Sequence, residues 1–461
     1  MKTKRVKKIL KEITEKIRPP EEDLKRIKKG VDSFCKEIKS NIKKYKIDAE
    51  IFVGGSFAKK TVIKKDRYDV DVFIRYDKKY KNTEISDITR KLIDKSRTIS
   101  VVHGSRDYFR VDCSEDFFIE LIPVRKIKNP KEHENITDLS YLHVKYINRR
   151  VKKKNILDEI KIAKAFCYAN RCYGAESYIH GFSGYSLELL VYYYKGFEKF
   201  INAMAKLNIK KEKLIIDIEK QFKNKKDVLM DLNSSKLNSP IILIDPTYKQ
   251  RNVLAALSKE TFEMFQKSCK EFLENPSISK FELKTIDFNK VRQYSIKRGK
   301  DFIRIKTSTS KPEGDVAGSK LLKFYEYLTK EISRFFIVKK RGFEYSNKDY
   351  ADSFFIAEEK KEIIYPGPYL KDKKNCDNFR KEHKEVYEKA GRLYAKEKIN
   401  FNLKGFLDKW KTKNTKIIKE MYIKEFNYIW RFLEKPANFS NTLLSSEETF
   451  PDAHQSPGLS R

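Results

Sequence analysis

The spacing of hydrophobic positions predicts two amphipathic helices at the start of the chain. Apolar side chains recur there every three or four residues, the period of one helix face. The first set is Val6, Ile9, Leu10, Ile13 and Ile17, and the second is Leu24, Ile27, Val31, Phe34, Ile38 and Ile42. Pro19-Pro20 separates the two runs and ends the first helix. Packing into a core explains both stripes, so we assign them no chemistry.

After residue 48 the pattern changes to short apolar runs, which predict strands. We expect strands at 49–53, 68–76, 108–112 and 117–122, the last ended by Pro123, with residues 113–116 as a hairpin turn. Between them, Ile88, Leu92 and Ile93 mark the buried side of a helix over 86–97. Several strands and one helix are therefore predicted for this part of the chain.

The middle of the chain has a mainly helical pattern. We predict helices over 156–170 and 254–272, and a loop at 180–183 leading into a helix that continues to Phe200. A buried strand precedes Asp245-Pro246, and a basic loop follows over 247–252. Pro276 and its polar neighbours indicate a boundary near 280.

The C-terminal part predicts a small α+β module followed by basic helices. Its elements are strands at 301–306, 342–345 and 352–357, a helix over 320–336, a turn at 365–368, and helices over 384–398 and 407–433. Residues 436–461 are rich in Ser, Thr, Asn and Pro and nearly free of positive charge. We therefore predict disorder over 436–461.

Composition indicates a globular protein with a polyanionic partner. The chain has 461 residues, enough for two to four domains, and 40% of them are hydrophobic. Its formal net charge is +36, and it contains 26 Tyr and 31 Phe. This combination favours nucleic-acid binding. The alternative is that a lysine-rich composition makes the chain basic without such a partner.

The remaining composition indicates a cytoplasmic protein without a membrane association. No apolar stretch approaches the ~20 residues needed to span a bilayer. The basic N-terminus has no apolar core of signal-peptide length. The six cysteines include no Cys-x-x-Cys pair and no zinc-ligand spacing, which favours scattered reduced thiols.

The strongest chemical signal is a glycine-serine turn followed by two aspartates. The predicted strand 49–53 runs into Gly54-Gly55-Ser56, where glycines allow a backbone to approach a phosphate and Ser56 adds a donor. Asp69 and Asp71 are two residues apart on a strand, so both carboxylates face the same side. Because two such acids repel each other, they make sense mainly with a bound cation.

A third acid completes the pattern. Glu120 lies inside an otherwise apolar strand, where an acid needs a partner or a metal. Asp112 is the alternative, but it lies at a strand end, where a turn role is common, and we favour Glu120. Three carboxylates beside a Gly-Ser turn suit two-metal nucleotidyl transfer with Mg²⁺, since oxygen ligands without His or Cys argue against zinc. No Walker-type Gly-x-x-x-x-Gly-Lys-Ser/Thr motif is present.

The Gly55-Ser56 to Asp69-x-Asp71 pattern resembles the signature of the polymerase-β-like nucleotidyltransferases. Further motifs, in the same order and spacing over about residues 30–280, resemble the archaeal, class I CCA-adding enzymes. They are His103-Gly-Ser-Arg-Asp-Tyr-Phe, Glu120-Leu-Ile-Pro-Val, Asp138-Leu-Ser-Tyr-Leu-His143, Tyr173-Gly-Ala-Glu, Gly181-Phe-Ser-Gly-Tyr-Ser-Leu-Glu-Leu-Leu and Asp245-Pro-Thr-Tyr-Lys-Gln-Arg-Asn-Val. The resemblance fades toward the C-terminus, although the Tyr365-Pro-Gly-Pro region is similar.

The resemblance implies a multidomain α+β protein. It implies a nucleotidyltransferase head at 1–150 with a mixed sheet and helices, and a helical neck, the central nucleotide-binding domain, at 151–280. An α+β body and a helical tail would follow at 281–435 and bind tRNA through its acceptor stem and TΨC arm. The implied activity is template-independent addition of the 3′-terminal CCA to tRNA from CTP and ATP, with a two-ion Mg²⁺ site. The oligomeric state is left open, with a homodimer as one option.

The same resemblance implies roles for individual residues. Asp69, Asp71 and Glu120 would be catalytic metal ligands, although the family commonly has Asp at the position of Glu120. The residues implied to bind the nucleotide are Gly55, Ser56, Lys59, Ser140, His143, Lys164, Tyr173 and Arg251. Lys59 stands where the family often has Arg, and Ser140 replaces a usual Thr but keeps the hydroxyl. The Gly181-Phe-Ser-Gly-Tyr segment is expected to be architectural.

Each of these residues also has a simpler explanation. Taken alone, His143 is a structural histidine, Lys164 a solvated helix residue, Tyr173 a packing residue and Arg251 a surface charge. Two other functions also remain open for the chain. One is a poly(A)-polymerase-like or other template-independent RNA nucleotidyltransferase, and the other is an inactive RNA-binding protein on the same scaffold. Intact acids at the three predicted ligand positions argue against the inactive protein.

Overall fold

The computed structural model describes residues 2–104 and 106–430, with side chains from residue 4 onward. The chain divides into two compact units, Met1–Lys284 and Thr285–Arg461. The finer separation of head from neck and of body from tail stays a prediction. Helices and several separate sheets occur in the same chain, so the predicted multidomain α+β class is confirmed.

The first unit begins with two amphipathic helices, α1 (Lys2–Ile17) and α2 (Glu21–Lys44). Both predicted helices are confirmed, with Pro20 directly before the second. The apolar stripe of α2 is buried against the sheet that follows it. The stripe of α1 packs into a different core, formed by the helices after residue 146.

A five-stranded mixed sheet follows, with the strand order β1-β2-β5-β4-β3. Its strands are β1 (Ala49–Val53), β2 (Tyr68–Tyr76), β3 (Ile99–Val102), β4 (Tyr108–Asp112) and β5 (Phe117–Arg125), and its helices are α3 (Gly55–Ala58) and α4 (Ile85–Leu92). Only the β2–β5 pair is parallel among these strands. That parallel pair puts Asp71 in register with Glu120 at the centre of the sheet.

The rest of the first unit is mostly helical and encloses a small sheet. Its elements are α5 (Ser140–Arg150), α6 (Lys154–Ala169), α7 (Gly184–Tyr194), α8 (Phe197–Lys206), β6 (Leu214–Ile216), α9 (Lys225–Asp231), β7 (Ile241–Asp245), β8 (Tyr248–Asn252) and α10 (Lys259–Glu274). A phenylalanine-rich core joins α6, α7, α8 and α10. Four short 3₁₀ segments lie at Pro130–Glu132, Ile136–Leu139, Ser234–Leu237 and Ile278–Phe281.

The second unit contains two antiparallel sheets, with the strand orders β10-β11-β9-β15 and β12-β14-β13. Its elements are α11 (Phe288–Lys297), β9 (Asp301–Thr309), α12 (Asp315–Phe335), β10 (Phe336–Tyr345), β11 (Tyr350–Glu359), β12 (Glu362–Tyr369), α13 (Lys373–Glu382), β13 (Glu385–Lys389), β14 (Arg392–Lys398), α14 (Leu403–Lys413), α15 (Thr415–Glu420) and β15 (Ile423–Trp430). The four-stranded sheet shares its core with α12 and α14. None of the helices in the described parts of either unit has the length and apolar character needed to cross a bilayer.

Several predicted boundaries in the first unit are wrong. The helix predicted over 86–97 ends at Leu92, because Ile93 adopts an extended conformation. Strand β5 continues through Pro123 to Arg125, and the edge strand β3 was not predicted. The helix expected to continue to Phe200 is two helices, broken where Lys195 and Gly196 adopt positive φ.

Two further corrections concern residues 247–272. The basic loop predicted over 247–252 is largely a strand, β8, which pairs with β7. The helix predicted over 254–272 begins only at Lys259, where the Ser258 hydroxyl caps it by accepting the N–H of Thr261. A serine cap of this kind satisfies a backbone donor that the first turn leaves unpaired.

The largest errors lie in the second unit. The helix predicted over 384–398 is a hairpin, β13 and β14, whose turn contains Ala390 and Gly391, both at positive φ. The helix predicted over 407–433 is α14 and α15 followed by strand β15, so the tail is not wholly helical. The turn predicted at 365–368 lies within β12, at a register shift. The disorder predicted for 436–461 concerns residues outside the described ones.

Candidate active site

The three predicted carboxylates lie on the two central strands of the first sheet. Asp69 and Asp71 are half-buried on β2 and alternate with the fully buried Val70 and Val72, so both acids are on one face. Glu120 is half-buried on β5. Because β2 and β5 are parallel and in register, Glu120 is the direct neighbour of Asp71. Residues about fifty positions apart therefore form one acidic surface.

Burial and the charges of neighbouring acids raise the pKa values of Asp71 and Glu120. Burial, and then the charge of Asp69, raise the pKa of Asp71 to about 6. Burial, and then the charges of Asp71 and Asp69, raise the pKa of Glu120 to about 7. Arg110, on the neighbouring strand, opposes this effect from 3.6 Å, the distance between its Nη2 and Glu120 Oε1. A cation bound among the acids would stabilise their ionised forms and so oppose the effects of both burial and repulsion.

The carboxylates do not already surround a metal position. Within residues 2–104 and 106–430, no three His, Cys, Asp or Glu side chains are gathered so that they could hold an ion. Asp69 binds the ammonium group of Lys65, and Glu120 contacts Arg110. The three carboxylates nevertheless offer only oxygen donors, which are the ligands that a hard divalent cation prefers. Such a cation could bind if Asp69 and Glu120 released their basic partners.

Asp112, the alternative third acid, is an exposed residue at the end of β4. Its carboxylate accepts a hydrogen bond of 2.6 Å from Arg67 Nη2. Across the sheet it is opposite Phe118 and not opposite an acid. The environment of Asp112 is that of a surface ion pair, whereas Glu120 adjoins Asp71.

The glycine turn is pressed against the Asp71 carboxylate. Gly54 donates its N–H to the Asp71 carbonyl over 2.8 Å, and Gly55 has a φ of +57°. A Cβ atom on Gly55 would lie 1.6 Å from Asp71 Oδ2, far inside contact distance. Ser56 follows in the short helix α3 and is half-buried. Only glycine at position 55 allows this approach of backbone to carboxylate.

Two residues predicted to bind the nucleotide meet at a buried carboxylate that the sequence analysis did not identify. Lys59 Nζ donates to Glu188 Oε2 over 2.7 Å, and Lys164 Nζ donates to Glu188 Oε1 over 2.9 Å. The hydroxyl of Thr61 donates to the same Oε1 over 3.0 Å. Burial alone would raise the pKa of Glu188, but the two ammonium groups hold it at about 2. Burial lowers the pKa of Lys164, and Glu188 opposes that effect.

Tyr173 approaches this cluster at the start of α7. A Cβ atom built on Gly184 would lie 3.1 Å from Tyr173 Oη and 3.7 Å from Lys164 Nζ. The hydroxyl and the ammonium group therefore both come close to the backbone at Gly184. Burial, followed by the charge of Glu188, raises the pKa of Tyr173, so this phenol stays protonated.

His143 and Arg251 meet at a second buried carboxylate, Asp245. His143 Nε2 lies 3.0 Å from Asp245 Oδ2, and Arg251 Nη1 donates to the same oxygen over 2.7 Å. Tyr185 and Thr247 donate hydroxyl hydrogen bonds to the other oxygen, Oδ1. The His143 ring stacks on Tyr185 with 4.1 Å between centroids. Burial lowers the pKa of His143, although Asp245 opposes this.

Tyr185 connects the two networks. Lys59 Nζ is 5.8 Å and the Arg251 guanidinium carbon 5.9 Å from the centroid of its ring. Both distances are within the range of cation–π attraction. Ser140 begins α5, one turn before His143, and is half-buried. The predicted site residues thus lie in the carboxylate surface, the lysine cluster and the Asp245 network, all within the first unit.

The residues missed by the sequence analysis are Thr61, Tyr185, Glu188 and Asp245, as members of the site. Glu188 stands within an apolar run and Asp245 ends an apolar strand, and both are fully buried. A charged residue in such surroundings requires a charged partner. The same signal identified Glu120, so it was available in the sequence for Glu188 and Asp245 too.

Comparisons with known proteins find similarity to tRNA nucleotidyltransferases. Residues 158–282 match the family model of the tRNA nucleotidyltransferase second domain. A CCA-adding enzyme from Nanoarchaeum equitans is 36% identical over 262 residues, which cover 57% of this chain and 64% of that enzyme. One from Methanocaldococcus jannaschii is 27% identical over 406 residues, covering 85% of this chain and 87% of that enzyme.

A third relative, the CCA-adding enzyme of Pyrococcus abyssi, is 29% identical over 285 residues, which cover 60% of this chain and 61% of that enzyme. The chain thus spans less than two thirds of the N. equitans and P. abyssi enzymes and most of the M. jannaschii enzyme. The resemblance inferred from the sequence motifs is confirmed. Among solved structures, a cytoplasmic RNA terminal U-transferase is similar to this chain at 15% sequence identity and a TM-score of 0.48. The alignment covers 61% of this chain and 100% of the U-transferase.

Proposed function

We propose that this chain, a homologue of the archaeal CCA-adding enzymes, adds the 3′-terminal CCA to tRNA from CTP and ATP without a template. The observation that carries the proposal is the acidic surface of Asp69, Asp71 and Glu120 directly beside the Gly55 turn. Nucleotidyl transfer needs acids that hold divalent ions next to a phosphate-binding backbone, and this surface puts three acids beside such a backbone.

Asp69, Asp71 and Glu120 would hold the metal ions, which we propose to be Mg²⁺. Bound there, the ions would lower the pKa of the attacking hydroxyl and neutralise charge on the triphosphate and the pyrophosphate. All three donors are carboxylate oxygens, the ligands Mg²⁺ prefers. Without an ion the pKa of Glu120 is raised to about 7, and a bound cation would lower it.

In the proposed reaction the 3′-hydroxyl oxygen of the tRNA attacks the α-phosphorus of CTP or ATP. The new bond joins that oxygen to phosphorus, the bond to the β-phosphate oxygen breaks, and pyrophosphate leaves. The hydroxyl proton passes to a Glu120 carboxylate oxygen or to solvent. The chain's part is to align these groups, which accounts for most of the rate in phosphoryl transfer.

The basic and hydroxyl groups near the acids would bind the nucleotide. The Gly55 backbone, Ser56, Lys59, Lys164 and Tyr173 would bind the triphosphate. Lys59 and Lys164 are well suited to this role because Glu188 holds both at the same buried position. Ammonium groups next to phosphate oxygens form strong charge-assisted hydrogen bonds.

The Asp245 network would bind the ribose and the base. Ser140 and His143 would contact the ribose, and Arg251 would help to read the incoming base. Asp245 fixes the two side chains of this network that carry nitrogen donors, His143 and Arg251. A donor fixed in this way loses little side-chain entropy when a nucleotide binds.

We further propose that the second unit binds tRNA through the acceptor stem and TΨC arm. The net charge of +36 supplies the attraction to the phosphate backbone. Exposed aromatic rings with basic neighbours lie on this unit. In one case Lys311 Nζ is 3.8 Å from the centroid of Tyr422. Such pairs suit a folded RNA surface.

Incubation of the protein with Mg²⁺, CTP, ATP and a tRNA ending at its discriminator base tests the proposal. We expect addition of C, C and A in that order and then termination, read by product length and sequence. A long A-tail on unrelated RNA would indicate a poly(A)-polymerase-like enzyme instead. Binding of tRNA without any incorporation would indicate an inactive RNA-binding protein.

A further inference from the structure

Glu188 is a fully buried acid on α7 that contacts two of the proposed phosphate ligands at once. It has no solvent-exposed surface, and its two oxygens are divided between the two lysines. Lys59 and Lys164 are themselves 8% and 3% exposed. The three side chains therefore form a buried ionic group with two positive charges and one negative charge.

The arrangement fixes the positions of the lysines. Glu188 is fully buried, and both of its carboxylate oxygens accept hydrogen bonds, Oε2 from Lys59 and Oε1 from Lys164 and Thr61. Thr61 bridges the group, because its hydroxyl donates to Glu188 Oε1 and accepts from Lys164 Nζ over 2.7 Å. The N–H of Thr61 also donates to the carbonyl of Ser56 over 2.9 Å. Glu188 is thus connected to the Gly-Ser segment as well as to both lysines.

Two buried ammonium groups cannot both stay charged at low cost without a counter-charge. Burial disfavours a charged lysine, and each lysine disfavours the charge of the other. Both effects lower the pKa of Lys164, and Glu188 is the group that opposes them. The other titratable groups around the cluster are Lys65, Asp71, His143, Tyr173 and Tyr185.

We propose that Glu188 is a positioning residue that keeps Lys59 and Lys164 charged and at a fixed spacing for the nucleotide triphosphate. The inference rests on the proposed function, since it assigns the lysines to the triphosphate. Glu188 itself does not contact the reacting atoms. An ammonium group has three donors. Lys59 uses one on Glu188, whereas Lys164 uses one on Glu188 and one on the Thr61 hydroxyl and has its third 3.5 Å from the Thr61 carbonyl. Lys59 thus has donors to offer a phosphate, and Lys164 would exchange its weakest contact for one.

Replacement of Glu188 by Gln keeps the shape and one acceptor but removes the charge. In Glu188→Gln, Lys164 loses the charge that supports its protonation, so protons leave it at a lower pH. The KM for CTP should then rise with pH, reaching at least about tenfold above wild type near pH 8.5 and approaching wild type near pH 6. The wild-type KM should change little over the same range, and kcat should change less than KM.

A matched control is available in the same helical core. Glu159 on α6 is half-buried and, unlike Glu188, has a neutral partner. Its carboxylate accepts a hydrogen bond from the N–H of Phe197 over 2.7 Å. Glu159→Gln should leave the pH dependence of KM unchanged. A KM shift in Glu188→Gln that is independent of pH would reduce Glu188 to a packing role. A lower KM at every pH would mean that its charge only repels the nucleotide. Either result overturns the proposal.

A second variant covers failure of Glu188→Gln to fold, which thermal unfolding would reveal. Glu188→Asp keeps the charge but is one methylene too short to contact both lysines at their present distances. It should raise KM without creating a new pH dependence, and an unchanged KM would overturn the proposal. Failure of the proposed function is separate, because wild-type protein would then not add CCA at all.

Discussion

Asp71 and Glu120 are direct neighbours in the parallel pair of strands β2 and β5. Burial and then the charge of Asp71 raise the pKa of Glu120, and burial and then the charge of Asp69 raise the pKa of Asp71. Burial and repulsion both disfavour the ionised forms of these acids, and a bound cation would offset both effects. Their replacement by amides should therefore affect catalysis and folding in opposite directions.

We expect Asp71→Asn and Glu120→Gln to reduce CCA addition by at least about a hundredfold, the scale of several kcal/mol of metal-dependent stabilisation. Their thermal midpoints without metal should equal or exceed that of the wild type, because a repelling charge is removed. Single-turnover incorporation and thermal unfolding measure the two effects. Asp112→Asn, at an exposed ion pair, is the control and should stay active. An active Asp71→Asn protein would contradict the assignment.

Gly55→Ala should abolish activity and destabilise the first unit. The added Cβ would meet the Asp71 carboxylate and would also occupy a positive-φ conformation. Gly299→Ala is the matched control, because Gly299 has a φ of +59° but no heavy atom within 4 Å of the added Cβ. It should cost about 1 kcal/mol of unfolding free energy from backbone strain alone and leave CCA addition intact. Equal effects of the two substitutions would show that the contact with Asp71 is unimportant.

Glu188 should make the stability of the chain sensitive to acid. The lysines hold its pKa at about 2, below its ordinary 4.5, so the folded state binds fewer protons between these values. Its contribution is therefore complete above about pH 4.5 and is lost as pH falls toward 2. We expect Glu188→Gln to be less stable than wild type by about 3 kcal/mol near pH 6, and nearly equal to it near pH 2.5.

Urea unfolding at several pH values measures this difference. The two proteins differ only at position 188, so the difference between their pH profiles reports the Glu188 carboxylate. A stability gap that persists unchanged to pH 2.5 would show that the lysines do not hold Glu188 ionised.

Asp245→Asn should weaken nucleotide binding and leave the acidic surface of Asp69, Asp71 and Glu120 unchanged. It leaves Arg251 and His143 without their shared acceptor charge, and the KM for CTP and ATP should rise about tenfold. Pyrophosphate release at saturating nucleotide should change less. Asp352→Asn, which affects an ion pair with Arg304 in the second unit, is the control and should not change these KM values. Equal KM values in Asp245→Asn and wild type would contradict the role of the network.

The affinity for tRNA should fall steeply with salt. If six or more phosphates are neutralised, the dissociation constant should increase by about 10³ between roughly 50 and 200 mM monovalent salt. Filter binding or fluorescence anisotropy without nucleotide measures this slope. The KM for CTP should depend less on salt, because its binding groups are buried. A slope near zero would show that the net charge of +36 does not contribute to tRNA binding.

The sequence predicted the elements of the first unit well because their patterns are strong. The apolar stripe of α2 has the helical period without interruption, and β2 alternates two acids with two buried valines. Both signals depend only on local spacing. What spacing could not give is the partner of each charged residue, so the contacts of Lys59 with Glu188 and of Arg251 with Asp245 appeared only in the fold.

The second unit was predicted less well for a different reason. Residues 384–398 are rich in lysine and glutamate, which favour helices. Yet Leu393 and Ala395 are buried and the residues on either side of them are not, which is the alternation of a strand. Pairing with β12 and β13 decides this segment, and such pairing overrides local preference. The strand β15 is formed in the same way, through contact with β9 more than a hundred residues earlier.

The parallel pairing of β2 and β5 also sets the order in which the site can form during synthesis. Asp69 and Asp71 leave the ribosome before Glu120, and the chain must pass through α4, β3 and β4 before β5 can dock beside β2. Parallel strands need such a crossover, so they pair late. Glu120 therefore comes close to Asp69 and Asp71 only after most of the sheet has been synthesised.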